Sequence, residues 1–367
     1  MDNRIYKIFD SLRFPLAIGV IFIHSFGKPI DISDIYLPLK IEDIFSYIRI
    51  FFSHVLPHIA VPTFFFISGY LFFVNIETFN KLKKRIKTLV VPYFLWNLIP
   101  IIFFTIILLT KYIISGFNNI DDIKNYFLSL NWRIFWDWNI WNLERTNIIG
   151  MITPSSGPIN LPLWFLRDLI VMIIITPLLY VLLNKKLIPI ILFSILYFLN
   201  IPLYFDGLSN TALFFFSLGS YFSINKLDLI KVISYYKLYL IPISFILLIF
   251  TTVYDGRYTF VGNILYPFYI LSGMFSMFII SNYFVNIKGY KYAITKSKSS
   301  FFIYSLHSIC ILDYITRFYN YIFPDTFIFN VISYFLIPIS TAYFCYFIYV
   351  SMSLLFPKYL KLLTGDR

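Results

Sequence analysis

Long apolar runs separated by short polar clusters dominate the chain. They fall at roughly 12–27, 51–74, 88–110, 161–183, 187–204, 210–224, 236–254, 262–285, 300–321 and 327–356. A helix of about 20 residues crosses the hydrocarbon core of a bilayer. The pattern predicts an all-α integral membrane protein, a bundle of about ten transmembrane helices. The runs near 187–224 are the shortest, and the last is long enough to continue along the membrane surface after its span.

The polar clusters alternate in charge. Arg4 and Lys7 precede the first run, and Lys81, Lys83, Lys84, Arg85 and Lys87 follow the second. Two, three and four lysines follow the fourth, sixth and eighth runs, and Lys358, Lys361 and Arg367 close the chain. The intervening loops are poorer in Lys and Arg. Lys and Arg concentrate in cytoplasmic loops, so both termini are expected in the cytoplasm, which an even number of spans satisfies.

Composition sharpens this picture. Of 367 residues, 59% are hydrophobic and 13% charged, against about 25% charged in soluble domains. That excludes an ordinary soluble globular surface. The net charge of +12 sits in clusters between apolar runs, so membrane lipid and topology account for it, and no nucleic-acid partner is implied. Cys310 and Cys345 lie in apolar runs and read as small core hydrophobes. The run from Phe14 to Phe26 lacks a small-residue cleavage site and reads as an uncleaved first helix.

Two segments between runs are long, 28–50 and 111–160. The second is expected to be an extracytoplasmic Trp-rich loop carrying Trp132, Trp136, Trp138 and Trp141 with Asp137 and Glu144, followed by a turn at Pro154 to Pro158. An interfacial belt explains the tryptophans more simply than a platform for sugar or lipid.

Ionisable groups inside a membrane are costly and mark function by default. In the first run Arg13 and His24 are eleven residues apart. On a helix they lie within roughly 20° of one face and about 16 Å apart along the axis. One stripe thus offers a cation suited to phosphate and an imidazole able to take a proton from a hydroxyl. The other reading has Arg13 snorkelling to the surface and His24 bonding a neighbouring helix. His54 and His58 are spaced i,i+4, but Pro57 interrupts them and no third ligand is near, so no metal is expected. Arg167 and Asp168 are adjacent, point to different helix faces and are expected to pair with other helices. Tyr304, His307 and Asp313 are the remaining candidates. Structural glue between helices competes with a catalytic role for all of these.

At these residues the chain resembles the membrane-bound acyltransferase 3 family over roughly 5–350. The resemblance rests on Arg13 to His24 preceded by Asp10, and on Pro62-Thr-Phe-Phe-Phe-Ile-Ser68-Gly69-Tyr70. It continues through the basic Lys84-Arg85 segment leading to Pro92-Tyr93-Phe-Leu-Trp96, then Trp164-Phe-Leu-Arg167-Asp168 and Tyr304-Ser-Leu-His307. It implies transfer of an acyl group, usually acetyl from acetyl-CoA, to sugar hydroxyls of a glycan or glycolipid at the bacterial inner membrane. The whole chain, 1–367, is expected to be one transmembrane domain without an appended soluble domain, acting with membrane lipid and with polysaccharide-assembly proteins as further partners.

On that resemblance His24, Arg13 and Asp10 are the expected catalytic group. Arg13, Arg85, Ser68, Tyr70, Tyr93 and Trp96 are expected to hold the donor, and Trp164, Arg167, Asp168, Tyr304 and His307 the acceptor. Direct transfer and a short-lived acyl-histidine both fit. Two competing readings are a transporter or flippase lined by the same polar residues and a scaffold that binds partners through the Trp-rich segment.

Overall fold

The computed structural model describes residues 3–27, 41–74, 78–115, 120–137, 145–146, 152–153, 157–203, 205, 207–255, 259–285 and 290–365. These residues are almost wholly helical. The first helices are α1 (Asn3–His24), α2 (Ile41–Arg49), α3 (Ala60–Phe73), α4 (Thr78–Ile114) and α5 (Ile120–Ser129). A two-residue antiparallel ladder, β1 (Arg145–Thr146) with β2 (Ile152–Thr153), follows. Then come α6 (Trp164–Ile174), α7 (Thr176–Leu183), α8 (Ile188–Phe198), α9 (Asn210–Ile224), α10 (Leu229–Tyr235) and α11 (Lys237–Val253). The last are α12 (Phe260–Phe284), α13 (Tyr290–Lys296), α14 (Ser300–Leu306), α15 (Leu312–Ile322), α16 (Phe327–Leu355) and α17 (Pro357–Thr364).

Helix occupies every predicted run, and the protein is a multi-pass membrane protein. Among the described residues four stretches are long and apolar enough to cross a bilayer: Asp43–Phe73, Leu82–Ile114, Phe260–Phe284 and Phe327–Leu355. Two bent pairs, α6 with α7 at 64° and α10 with α11 at 77°, raise the number to six. The other runs fall short for physical reasons. α1 carries Arg4, Lys7, Asp10 and Arg13 in its first half. α8 has 11 residues and α9 has 15. α14 and α15 are separated by a break at His307–Ile311. The residues after the last run form α17, a short helix opened by Pro357.

Between α2 and α3 the chain winds as a π-helix at Ile50–Val55 and a 3₁₀ turn at Leu56–Ile59. Pro57 lacks an N–H and cannot continue a regular ladder. α3 then lies backbone-to-backbone on α9. A Cβ on Gly69 would stand 2.1 Å from the Phe216 carbonyl oxygen, and one on Gly219 equally close to that of Phe66. Lipid tails are as apolar as side chains, so such close approach between small residues is a main source of helix association in membranes. Ser209 and Thr259 cap α9 and α12 by accepting the Ala212 and Gly262 N–H groups.

α1 runs through the middle of the bundle. Phe9 packs edge-on to Tyr70 and beside Phe278, and Ser11 bonds Ser281 of α12. Lys296 is buried with its ammonium 4.0–5.2 Å from the ring centres of Tyr292, Tyr346, Tyr343 and Phe14. Cation–π attraction is strongest when desolvated, and here it ties α13 to α1 and α16.

Candidate active site

Two cavities flank α1. The larger, about 580 Å³, is lined by Arg13, Lys84, Arg85 and Lys298, with Ser68 and Gly365 on its wall. The smaller, about 270 Å³, is lined by His24, His58, Trp164, Asn263 and Tyr266 among others, and by no Lys, Arg, Asp or Glu among the described residues. Tyr304 belongs to both walls. Arg13 and His24 therefore open into different cavities along one helix face, with Tyr304 between them.

Arg13 bonds Asp10 one turn back at 2.9 Å, which holds the guanidinium on the helix face it shares with His24. Among the described residues no carboxylate pairs with Lys84, Arg85 or Lys298. This cavity thus concentrates positive charge.

Tyr304, which lines the neutral cavity, stands one turn before the break between α14 and α15. Ile309 and Cys310 leave helical geometry, and Cys310 takes φ +63°. The helix ladder stops there and frees carbonyl groups. The Ser305 carbonyl accepts from the Asn160 amide at 3.0 Å. Asn160 also bonds Trp96 O (3.2 Å) and Asn97 Oδ1 (3.1 Å) and accepts from the Ser308 hydroxyl (3.0 Å). The Tyr304 hydroxyl donates to Pro162 O. This loop before α6 thus fixes both Tyr304 and the turn carrying His307. The His307 ring lies 5.2 Å from that of His24, tilted by 45°.

The other expected site residues are buried in structural bonds. Tyr70 packs on Phe9. The Tyr93 hydroxyl donates to Phe135 O, and the Trp96 indole donates to Leu363 O at 2.9 Å, docking α17 on α4. Arg167 and Asp168 pair with each other, contrary to the expectation that they would pair with other helices. The Arg167 side chain is long enough to fold back over the next residue, so Nε and Nη2 reach Asp168 Oδ1 at 3.1 and 3.0 Å. They also hold the Trp136 carbonyl and the Ser209 N–H, at 2.8 and 3.0 Å, and neither residue lines either of these two cavities. Buried charges persist when paired and hydrogen-bonded in this way.

Trp136 is tucked beside Gly207 and Arg167, whereas Trp132 is exposed. Trp138, Trp141, Glu144 and Pro154 lie outside the described residues. His54 and His58 diverge: His54 bonds Asp255 at 2.7 Å, and His58 lines the neutral cavity. His58, Asn263 and Tyr266 were not among the expected site residues. The available signal was a polar group within an apolar run. Among the described residues no cluster of three or more His, Cys, Asp or Glu side chains suits a metal.

The helical membrane bundle thus holds a cationic cavity and a histidine-bearing one that share Tyr304 on their walls. The family model described as an acyltransferase domain matches residues 6–354, and the chain belongs to the acyltransferase 3 family. It is 27% identical over 237 residues to the succinoglycan biosynthesis protein ExoH of Rhizobium meliloti (strain 1021), an alignment covering 62% of this chain and 57% of that protein. No solved structure matches the chain.

Proposed function

We propose that this protein is an O-acyltransferase of the bacterial inner membrane, with ten spans, both termini cytoplasmic and the Trp-rich segment 111–160 outside. It moves an acyl group, acetyl in the first instance, from acyl-CoA to a hydroxyl of a surface polysaccharide or lipid-linked glycan. The cationic cavity suits the phosphates of CoA. The uncharged cavity, with Trp164 and Tyr266 on its wall, suits a sugar. His24 takes the proton of the acceptor hydroxyl as its oxygen attacks the thioester. The likeness to a succinoglycan biosynthesis protein supports the glycan acceptor.

The observation that carries this reading is the shared wall. Arg13 and His24 stand about 16 Å apart on one helix face, each in its own cavity, with Tyr304 common to both. An extended pantetheine arm passing Tyr304 would bring the thioester from one to the other. The test is incubation of the purified protein in proteoliposomes with radiolabelled acetyl-CoA and glycans extracted from its host. Label transfer that depends on His24 is the expected result. Movement of unmodified glycan without label transfer would replace this reading with the transporter.

A further inference from the structure

His307 is fully buried, and its two ring nitrogens have different surroundings. Nδ1 lies 2.8 Å from the Tyr304 carbonyl oxygen and 3.3 Å from that of Ile303. Carbonyl oxygens only accept, so Nδ1 carries the proton and the neutral ring keeps a lone pair on Nε2. Nε2 is buried and has no hydrogen-bond partner. A buried nitrogen left this way is costly, and such exceptions call for an explanation. The imidazole beside it is His24, with ring centres 5.2 Å apart. That separation matches an N–H···N bond of about 3 Å plus about 1 Å from each ring centre to its nitrogen. His24 stands at a cavity wall, where its ring has room to turn into that bond.

We infer that His307 is the positioning residue for His24: its Nε2 accepts the N–H of His24 and so turns the lone pair of the other His24 nitrogen to the acceptor hydroxyl. The result is a chain of backbone carbonyl, imidazole, imidazole and hydroxyl. It follows the logic of a nucleophile, a base and a third group that orients the base. The inference rests on the acyl-transfer reading for its role but not for its geometry. In the step itself the acceptor oxygen bonds the acyl carbon and its proton passes to His24. The carbon–sulfur bond breaks with its electron pair on sulfur, and His24 then returns the proton to the thiolate. Between these events His24 is cationic, and its second N–H is held by His307.

The chain has four histidines, so ¹⁵N-histidine NMR of the protein in lipid can be assigned by single substitutions. The expected spectrum has His307 protonated at Nδ1, and one dominant His24 tautomer that becomes mixed in His307→Ala. A protonated Nε2 on His307, or a His24 tautomer indifferent to His307→Ala, would overturn the inference whatever the enzyme acylates. Kinetics with radiolabelled acetyl-CoA supply the second arm. His307→Ala is expected to lower kcat about 10²-fold with KM for acetyl-CoA unchanged. His307→Gln places an amide oxygen where Nε2 stands and is expected to recover most of that loss. Equal loss in both variants, or a change confined to KM, would also overturn it. Absence of transfer by the unaltered protein would instead count against the acyl-transfer reading.

Discussion

Among the described residues, four cations line the cavity at Arg13, whereas none that lines the cavity at His24 is Lys, Arg, Asp or Glu. Elsewhere in the bundle the protein supplies its own partners for buried cations: aromatic rings for Lys296, Asp168 and a carbonyl for Arg167. Among the described residues, Lys84, Arg85 and Lys298, all on the Arg13 side of Tyr304, have no carboxylate partner. The difference teaches how a single bundle can hold a polyanionic donor and an uncharged acceptor. In the proposed reading, charge anchors the donor at one end and the chemistry occurs at the other, where low dielectric strengthens each hydrogen bond.

The largest break in that comparison is His24→Ala. A positioned base is worth about 10²–10⁴-fold in rate, or about 3–5 kcal/mol of barrier. Label transfer from acetyl-CoA is expected to fall by that factor while acetyl-CoA binding, measured by calorimetry, holds. Loss of binding would mean that the two cavities do not divide the work.

Arg85→Ala should act on the other side. A charge-assisted hydrogen bond contributes about 1.5–3 kcal/mol, so KM for acetyl-CoA should rise about 10- to 100-fold with kcat nearly unchanged. The difference between the unaltered protein and the variant should shrink as salt is raised, because screening weakens the interaction that the variant lacks. A fall in kcat alone would contradict a donor-anchoring role.

What could be read from the residues divides along similar lines. The membrane class follows from too little charge to solvate a surface. The Arg13–His24 stripe follows from eleven residues on a regular helix, and α1 is regular through both despite Pro15. Tyr70, Tyr93 and Trp96 sit in equally suggestive runs, yet their polar groups or rings meet Phe9, Phe135 and Leu363. Those contacts span up to 267 positions, and local periodicity carries no record of them. Arg167 and Asp168 do bond other elements, but their pairing with each other was hidden for another reason: helix spacing rules describe Cβ directions, and a long guanidinium arm overrides them. The break after Leu306 was equally hidden, since no Gly or Pro marks His307–Ile311.

The packing of α3 on α9 joins the two cavities mechanically, because Ser68 of α3 lines one and Thr211 of α9 the other. Gly69→Ala drives a methyl group into the Phe216 carbonyl. Overpacking of this kind costs about 1–3 kcal/mol. A lower thermal midpoint in detergent, with loss of both donor binding and transfer, is the expected outcome. Retention of one with loss of the other would show that the cavities are held independently.

The smallest effect lies at Cys310. Its φ of +63° is the left-handed region, which costs an L-residue roughly 1–2 kcal/mol. Glycine pays no such penalty but loses more chain entropy on folding, by roughly 0.5–1 kcal/mol. Cys310→Gly should therefore leave the thermal midpoint unchanged or raise it slightly. Cys310→Val, which adds a branched Cβ at the same φ, should lower it. The pair of variants separates the backbone from the thiol, because both remove the sulfur and only one relieves the turn. If the glycine variant were the less stable of the two, the break after α14 would not be set by this residue. The anchoring of Tyr304 and His307 would then rest on the Pro162 and Asn160 bonds.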